Sequence, residues 1–179
     1  MRNIHSKAFA FLLVAALPSC VSSPTISPEI VALPLLDNLQ KIAVADWLVR
    51  NPDFRIATEK DCDCDDDIRF TREKGPFGSP LPTYEPYLSV GDFNGDGKQD
   101  FGIIVVDLHN PDKGMLLIFN GPFGKGSKLP AFTTTVGTLK RIALFQSYKI
   151  GRLLIGPFES EGCVYEPEGE TYREDCMDD

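Results

Sequence analysis

Nine residues, Asp92 to Asp100, carry side-chain oxygens at the first, third, fifth and ninth positions, in Asp92, Asn94, Asp96 and Asp100. Two apolar runs bracket them, Tyr87–Val90 and Phe101–Val106. Gly95 and Gly97 let so short a segment turn sharply without a side-chain clash. The flanking runs are rich in the aromatic and β-branched residues that suit a pleated, half-buried surface. The pattern therefore predicts two strands joined by a tight acidic loop. Ca²⁺ is a hard cation that takes six to eight oxygens, and acids at alternate positions of such a loop can wrap them round one point. Asp92, Asn94, Asp96 and Asp100 are the candidate side-chain ligands. Lys98 can add its backbone carbonyl while its ammonium points to water. An ordinary Asn/Asp/Gly turn is the plainer alternative.

The first nine positions match the start of an EF-hand loop, but the twelfth does not. Where that loop has a bidentate Glu, this chain has Ile103, inside an apolar run. With β character on both flanks, the loop joins strands and not helices. The stretch GDFNGDGKQDFGIIV (Gly91–Val105) resembles the calcium loop of FG-GAP and VCBS repeats, matching D-x-[DN]-G-D-G-x-x-D throughout. That resemblance implies side-chain ligation by Asp92, Asn94, Asp96 and Asp100 and carbonyl ligation by Lys98. It covers only residues 87–106. One copy cannot build the propeller those repeats form, so neither the propeller nor its adhesive role carries over.

The start of the chain points outside the cytoplasm. Arg2 and Lys7 precede the apolar run Ala8–Leu17, which is short of the roughly 20 residues a membrane-spanning helix needs. A charged start, a short apolar core and small residues after it make a secretory signal, expected over residues 1–19. Leu17-Pro18-Ser19-Cys20 resembles the lipobox of bacterial lipoproteins, which implies that Cys20 carries lipid and heads the mature chain. Pro18 departs from that pattern, and ordinary cleavage after Ala16 competes with it. The Pro/Ser-rich stretch that follows, residues 20–33, is expected to be a flexible tether.

Residues 34–179 are enough for one domain. Leu36, Leu39, Ala43 and Trp47 recur at helical spacing, Asp37 and Gln40 can form a capping box, and Pro52 should end the helix. Trp47 on that stripe reads as a core residue. Beyond Pro52 short apolar runs alternate with turns: 54–57, 87–90, 101–106, 115–119, 131–136, 139–145, 153–155, 163–165 and 171–173. The expected architecture is α+β, one N-terminal helix on an antiparallel, meandering sheet. Gly-Pro-Phe recurs at Gly75, Gly121 and Gly156, at unequal spacings that do not support a repeat. Each copy is expected where a strand leaves the sheet.

With Cys20 lipidated, four cysteines remain: Cys62, Cys64, Cys163 and Cys176. An exported chain with an even set points to disulfides. A zinc site wants four ligands, and the one histidine beyond the leader, His109, falls on a turn. A turn at Glu168-Gly169 would set Cys163 opposite Glu174, which favours bridges from both C-terminal cysteines to Cys62 and Cys64. The run Asp61–Asp67 reads as a solvated acidic face.

A formal net charge of −8 argues against nucleic acid as a partner. Neither a nucleophile elbow, nor a phosphate loop, nor a His/Glu metal motif is present. The expectation is a monomeric, non-enzymatic, envelope-anchored Ca²⁺-binding domain, with a protein or glycan as its partner if it has one. A carboxylate-based hydrolase and an inhibitor of a secreted basic enzyme are the alternatives.

Overall fold

The computed structural model describes residues 27–75, 78–124, 128–146, 151–158 and 162–176. The expected signal peptide, the lipidation site Cys20 and the tether as far as residue 26 lie outside these residues. From Pro28 the chain is structured earlier than its Pro/Ser content suggests. Helix α1 (Pro28–Val31) is a single turn whose Ile30 is 2% exposed. Lys41 on the next helix donates its ammonium to the Val31 carbonyl. The segment 28–33 is thus part of the domain and not of a tether.

Helix α2 (Asn38–Arg50) begins on the anticipated capping box. The Asp37 carboxylate accepts from the amides of Leu39 and Gln40, and Gln40 Oε1 accepts from the Asp37 amide. The helix stops at Asn51, before Pro52. Its buried face runs through Gln40, Ala43, Val44 and Trp47, so the stripe is rotated off Leu39, which stays exposed. Trp47 lies edge-on to Phe54 and belongs to the core, as its spacing suggests.

Strand β3 (Asp100–Asp107) is the centre of the domain. It is buried from Asp100 to Val106 because both of its faces are covered, which is why it reads as a continuous apolar run and not an alternating one. Strand β4 (Asn110–Phe119) pairs along one edge, and β5 (Phe132–Thr138) pairs with β4. The other edge of β3 is shared end to end by two short strands. β1 (Phe54–Ile56) lies against residues 105–107 and β2 (Leu88–Gly91) against residues 100–103. Ile104 sits at the junction, donating its amide to the Tyr87 carbonyl and accepting from the Ala57 amide.

The period of two then sorts β3 into two cores. Phe101, Ile103 and Val105 pack with Leu117 and Phe119 beneath α1 and α2, and the Phe101 and Phe119 rings stack 4.7 Å apart. Ile104 and Val106 pack with Leu116 and Ile118 against a second antiparallel sheet. That sheet is a meander of β6 (Ile142–Gln146), β7 (Leu153–Pro157), β8 (Cys163–Glu168) and β9 (Thr171–Cys176). Gly102 faces it, and a Cβ there would come within 2.6 Å of Leu153 Cδ2. The layers run helix, sheet, sheet. The domain is single and its strands antiparallel, as expected, but it is mostly sheet and has two sheets where one was expected.

Helix α3 (Asp65–Glu73) was not anticipated. Asp65, Asp66 and Asp67 form its first turn, where carboxylates interact favourably with the N-terminal end of the helix dipole. Ile68 and Thr71 are its buried face. The first Gly-Pro-Phe copy therefore follows a helix, and its Pro76 and Phe77 lie outside the described residues. The other two behave as expected. Phe123 returns to the Phe101 ring at 5.3 Å, and Phe158 returns to Tyr84 and Phe145.

The disulfides correct the expected pairing. Cys62 joins Cys64, and Cys163 joins Cys176. The hairpin β8–β9 pairs Glu168 with Thr171, so its two loop residues are Gly169 and Glu170. Gly169 has φ +66° and occupies the first loop position, which glycine favours in a type II′ turn. Relative to the expected turn the register moves by two, and Cys163 falls opposite Cys176 instead of Glu174. Cys62 and Cys64 close on each other because Asp63 between them takes a left-handed φ of +56°, a conformation Asp tolerates.

Candidate functional site

The acidic loop joins β2 to β3, and the Gly91–Asp100 pair closes its neck. The sequence placed it between strands, and it lies there. Its hydrogen bonds follow from the spacing of short polar side chains, which turn back onto nearby amides. Asp92 Oδ1 accepts from the amides of Gly95 (2.8 Å) and Asp96 (3.0 Å), and its Oδ2 accepts from Gly97 (2.9 Å). Asn94 Oδ1 accepts from the Asp96 amide, and Asp96 Oδ1 accepts from the Lys98 amide. Asp100 is fully buried. Its Oδ2 takes the amides of Phe93 (2.9 Å) and Asn94 (3.3 Å), and its Oδ1 takes Gly121 (2.8 Å).

Carboxylate and amide oxygens carry about two lone pairs each. After these bonds, Asp92, Asn94 and Asp96 each keep an oxygen lone pair free of backbone amides. Among the described residues, Asp96 Oδ2 meets the Lys98 ammonium, at 3.8 Å. The loop therefore offers the all-oxygen donor set that a hard cation takes. Its acids do not gather into one tight cluster. Among the described residues, the group of three acid, histidine or cysteine side chains with ligand atoms mutually within 4.8 Å is Cys163, Glu174 and Cys176. Asp92 is drawn to the amides of residues 95–97, and Asp100 to those of 93, 94 and 121, which keeps them apart.

Negative charge is concentrated at the neck of the loop. Burial pushes the Asp100 carboxyl above the ordinary carboxylate range, and the charge of Asp96 adds to the rise. The amides of Gly121, Phe93 and Asn94 pull it back. Burial first, then the charges of Asp100 and Asp96, raises the Tyr172 phenol. Its hydroxyl donates to Asn120 Oδ1 at 2.6 Å. A divalent cation would offset this accumulation of negative charge.

Several residues that hold the loop carry no local signal in the sequence. Phe93 is 0% exposed and anchored in the core between the sheets, and Arg152 donates to its carbonyl at 3.1 Å. Gln40 on α2 reaches Gln99 at 3.4 Å. The recurrent Gly-Pro-Phe marked Gly121, but only as a strand exit. Its amide on Asp100 could not be read from the chain.

The other flagged groups are placed as follows. His109 is exposed on the two-residue turn between β3 and β4, 3.2 Å from Asp53. Glu166, Glu168, Glu170, Glu174 and Asp175 lie along the β8–β9 hairpin. Glu59 and Glu85 both meet the Arg72 guanidinium. Burial, then the charge of Glu59, raises the Glu85 carboxyl. The crevice between Glu59, Glu85 and Leu88 holds about 20 Å³, room for a water molecule, and a wider, open depression on the α3 side is lined by Glu59, Asp65, Ile68 and Arg72.

No helix among the described residues is long and apolar enough to cross a membrane. Compared with protein-family models, with curated proteins and with solved structures, the chain matches none.

Proposed function

We propose that residues 92–100 bind Ca²⁺ as a structural clamp in an exported, envelope-anchored domain. Asp92, Asn94, Asp96 and Asp100 supply side-chain oxygens, Lys98 its carbonyl, and water completes the shell. The observation that carries this reading is the division of labour within the loop. The amides take one set of lone pairs and fix the side chains, while oxygens of Asp92, Asn94 and Asp96 stay open to a cation. The resident ion would neutralise an acidic strand junction. Catalysis plays no part in this reading; the domain acts by presenting a rigid surface to another macromolecule.

The anchor belongs to the same proposal. Lipid on Cys20 would leave seven residues, 20–26, ahead of Ser27, and these can span at most about 25 Å. The domain would then stand close to its membrane.

Thermal unfolding in EDTA and with added Ca²⁺ tests the site. The melting temperature should fall in EDTA and recover with Ca²⁺, and Asp96→Ala should lose the recovery. If the wild type melts identically in both conditions, the site is not a cation site. Metabolic labelling with a fatty acid, in wild type and Cys20→Ala, tests the anchor separately.

A further inference from the structure

The β8–β9 hairpin brings a second set of ligand atoms together, independent of the acidic loop. Cys163 lies directly opposite Cys176, with Cα atoms 3.9 Å apart, and Tyr165 lies opposite Glu174. The period of two puts Cys163, Glu174 and Cys176 on one face. Their ligand atoms come within 4.8 Å of one another. The Tyr165 hydroxyl donates to Glu174 Oε1 at 2.9 Å, and Tyr165 is itself fully buried beside the Phe132 ring. Glu174 is thus held from the neighbouring strand, on the same face, by a buried phenol. A buried partner that orients a ligating carboxylate is a usual accompaniment of metal sites.

We propose that Cys163, Glu174 and Cys176 form a redox-gated site for a soft divalent cation of the Zn²⁺ class. In the disulfide form both sulfurs are bonded to each other and the site is closed. An external dithiol opens it: one of its thiolates attacks a sulfur of the bridge, the Cys163–Cys176 bond breaks, and a mixed disulfide forms. The second thiol of the reductant closes that mixed disulfide, so the reductant leaves oxidised by two electrons and the two cysteines are thiols. Cation binding then releases their two protons. Two thiolates and a carboxylate suit Zn²⁺, with a fourth position for water. At Zn–S distances near 2.3 Å the sulfurs need to stand roughly 3.7 Å apart, which opposed residues on neighbouring strands reach by side-chain rotation. Ca²⁺, which prefers oxygen, would not compete.

Exposure makes the gate selective. Cys176 is exposed and Cys163 half-buried, whereas Cys62 is 0% and Cys64 4% exposed. An attacking thiolate reaches the hairpin bridge first.

The test uses the full chain with graded dithiothreitol, peptide mapping of free thiols, and then Cd²⁺ or Zn²⁺ added after the reductant is removed. Cys163 and Cys176 should become free while Cys62–Cys64 stays closed, with the near-ultraviolet circular dichroism kept. This form should take one equivalent of metal, seen as a thiolate-to-Cd²⁺ absorption band and by Zn²⁺ competition with a chromogenic chelator. The oxidised protein should take none at this site. Glu174→Gln should weaken Zn²⁺ at least tenfold, and Cys163→Ala/Cys176→Ala should abolish uptake. Four results would each overturn the proposal: Cys62–Cys64 opening first, loss of the fold on selective reduction, no stoichiometric uptake, or Glu174→Gln binding as tightly as wild type.

Discussion

Asp100 and Asp96 are both proposed cation ligands, yet the structure gives them different work when no cation is offered. Asp100→Ala removes the acceptor of two buried amides, those of Phe93 and Gly121, and of the part-buried Asn94 amide. A buried donor left without a partner costs about 1–3 kcal/mol, so the two buried amides alone come to about 2–6 kcal/mol. Loss of the carboxylate also relieves a desolvation cost, the same one that pushes its protonation upward. That places the net effect in the lower half of the range, about 2–4 kcal/mol. Asp96→Ala frees only the Lys98 amide, which is exposed and turns to water, for about 0.5 kcal/mol. Urea unfolding of both variants in excess EDTA measures the difference directly. With Ca²⁺ restored, neither variant should regain wild-type stability. If Asp100→Ala falls within 1 kcal/mol of Asp96→Ala in EDTA (about half the lower bound set by the buried amides), Asp100 does not hold those amides and the description of the neck is wrong.

Asp61 gives the pH dependence. Its hydrogen bonds from Arg55, at 2.8 and 2.6 Å, are the chief cause that holds its carboxyl below the ordinary carboxylate range, helped by the Thr58 amide. The folded state therefore binds a proton there less readily than the unfolded chain. The contribution is complete above the ordinary range and is lost as the pH falls through the depressed folded value, amounting to about 1 kcal/mol for a partly exposed pair. Urea midpoints followed from neutral to acid pH should show a shallower acid limb in Asp61→Asn, and an unchanged limb would refute the assignment. Replacing Cys163 and Cys176 by alanine opens a bridge of sequence separation 13 and should cost about 3 kcal/mol in urea unfolding. Peptide mapping should still find Cys62 joined to Cys64; any bridge from Cys62 or Cys64 to the hairpin in the wild type would contradict the β8–β9 register.

What could be read from the chain was what neighbouring residues decide. Asp37 and Gln40 fix the start of α2 within one turn, the apolar runs mark the nine strands, and the spacing of Asp92, Asn94 and Asp96 sets the amide bonds inside the loop. Longer-range outcomes were not legible. Nothing local to Phe54–Ile56 and Leu88–Gly91 says that they share one edge of β3, or that the chain divides into two sheets after β5. The helix α3 hid behind its own acids: Asp65–Asp67 looked like a charged surface run, and only Ile68 and Thr71 face the core. The disulfides turned on a single glycine. Placing Gly169 second in its turn instead of first shifts the register by two and sends Cys176 past its partner.

If the loop holds a cation as proposed, its position favours a clamp over a sensor. A sensing site needs a segment whose two arrangements differ by little free energy. This loop touches every layer of the domain. Phe93 is buried between the sheets and its carbonyl is held by Arg152, just before β7. Gln99 meets Gln40 on α2, and Asp100 begins the central strand while binding the amide of Gly121 after β4. Asn120, next to Gly121, accepts from Tyr172 on β9. A movement large enough to signal would break contacts to the helix layer and both sheets together, and would strand the buried amides of Phe93 and Gly121. Each of those amides costs about 1–3 kcal/mol to orphan, comparable with the 1–3 kcal/mol of a typical allosteric coupling. A cation here is therefore better matched to holding the three layers in place than to switching them.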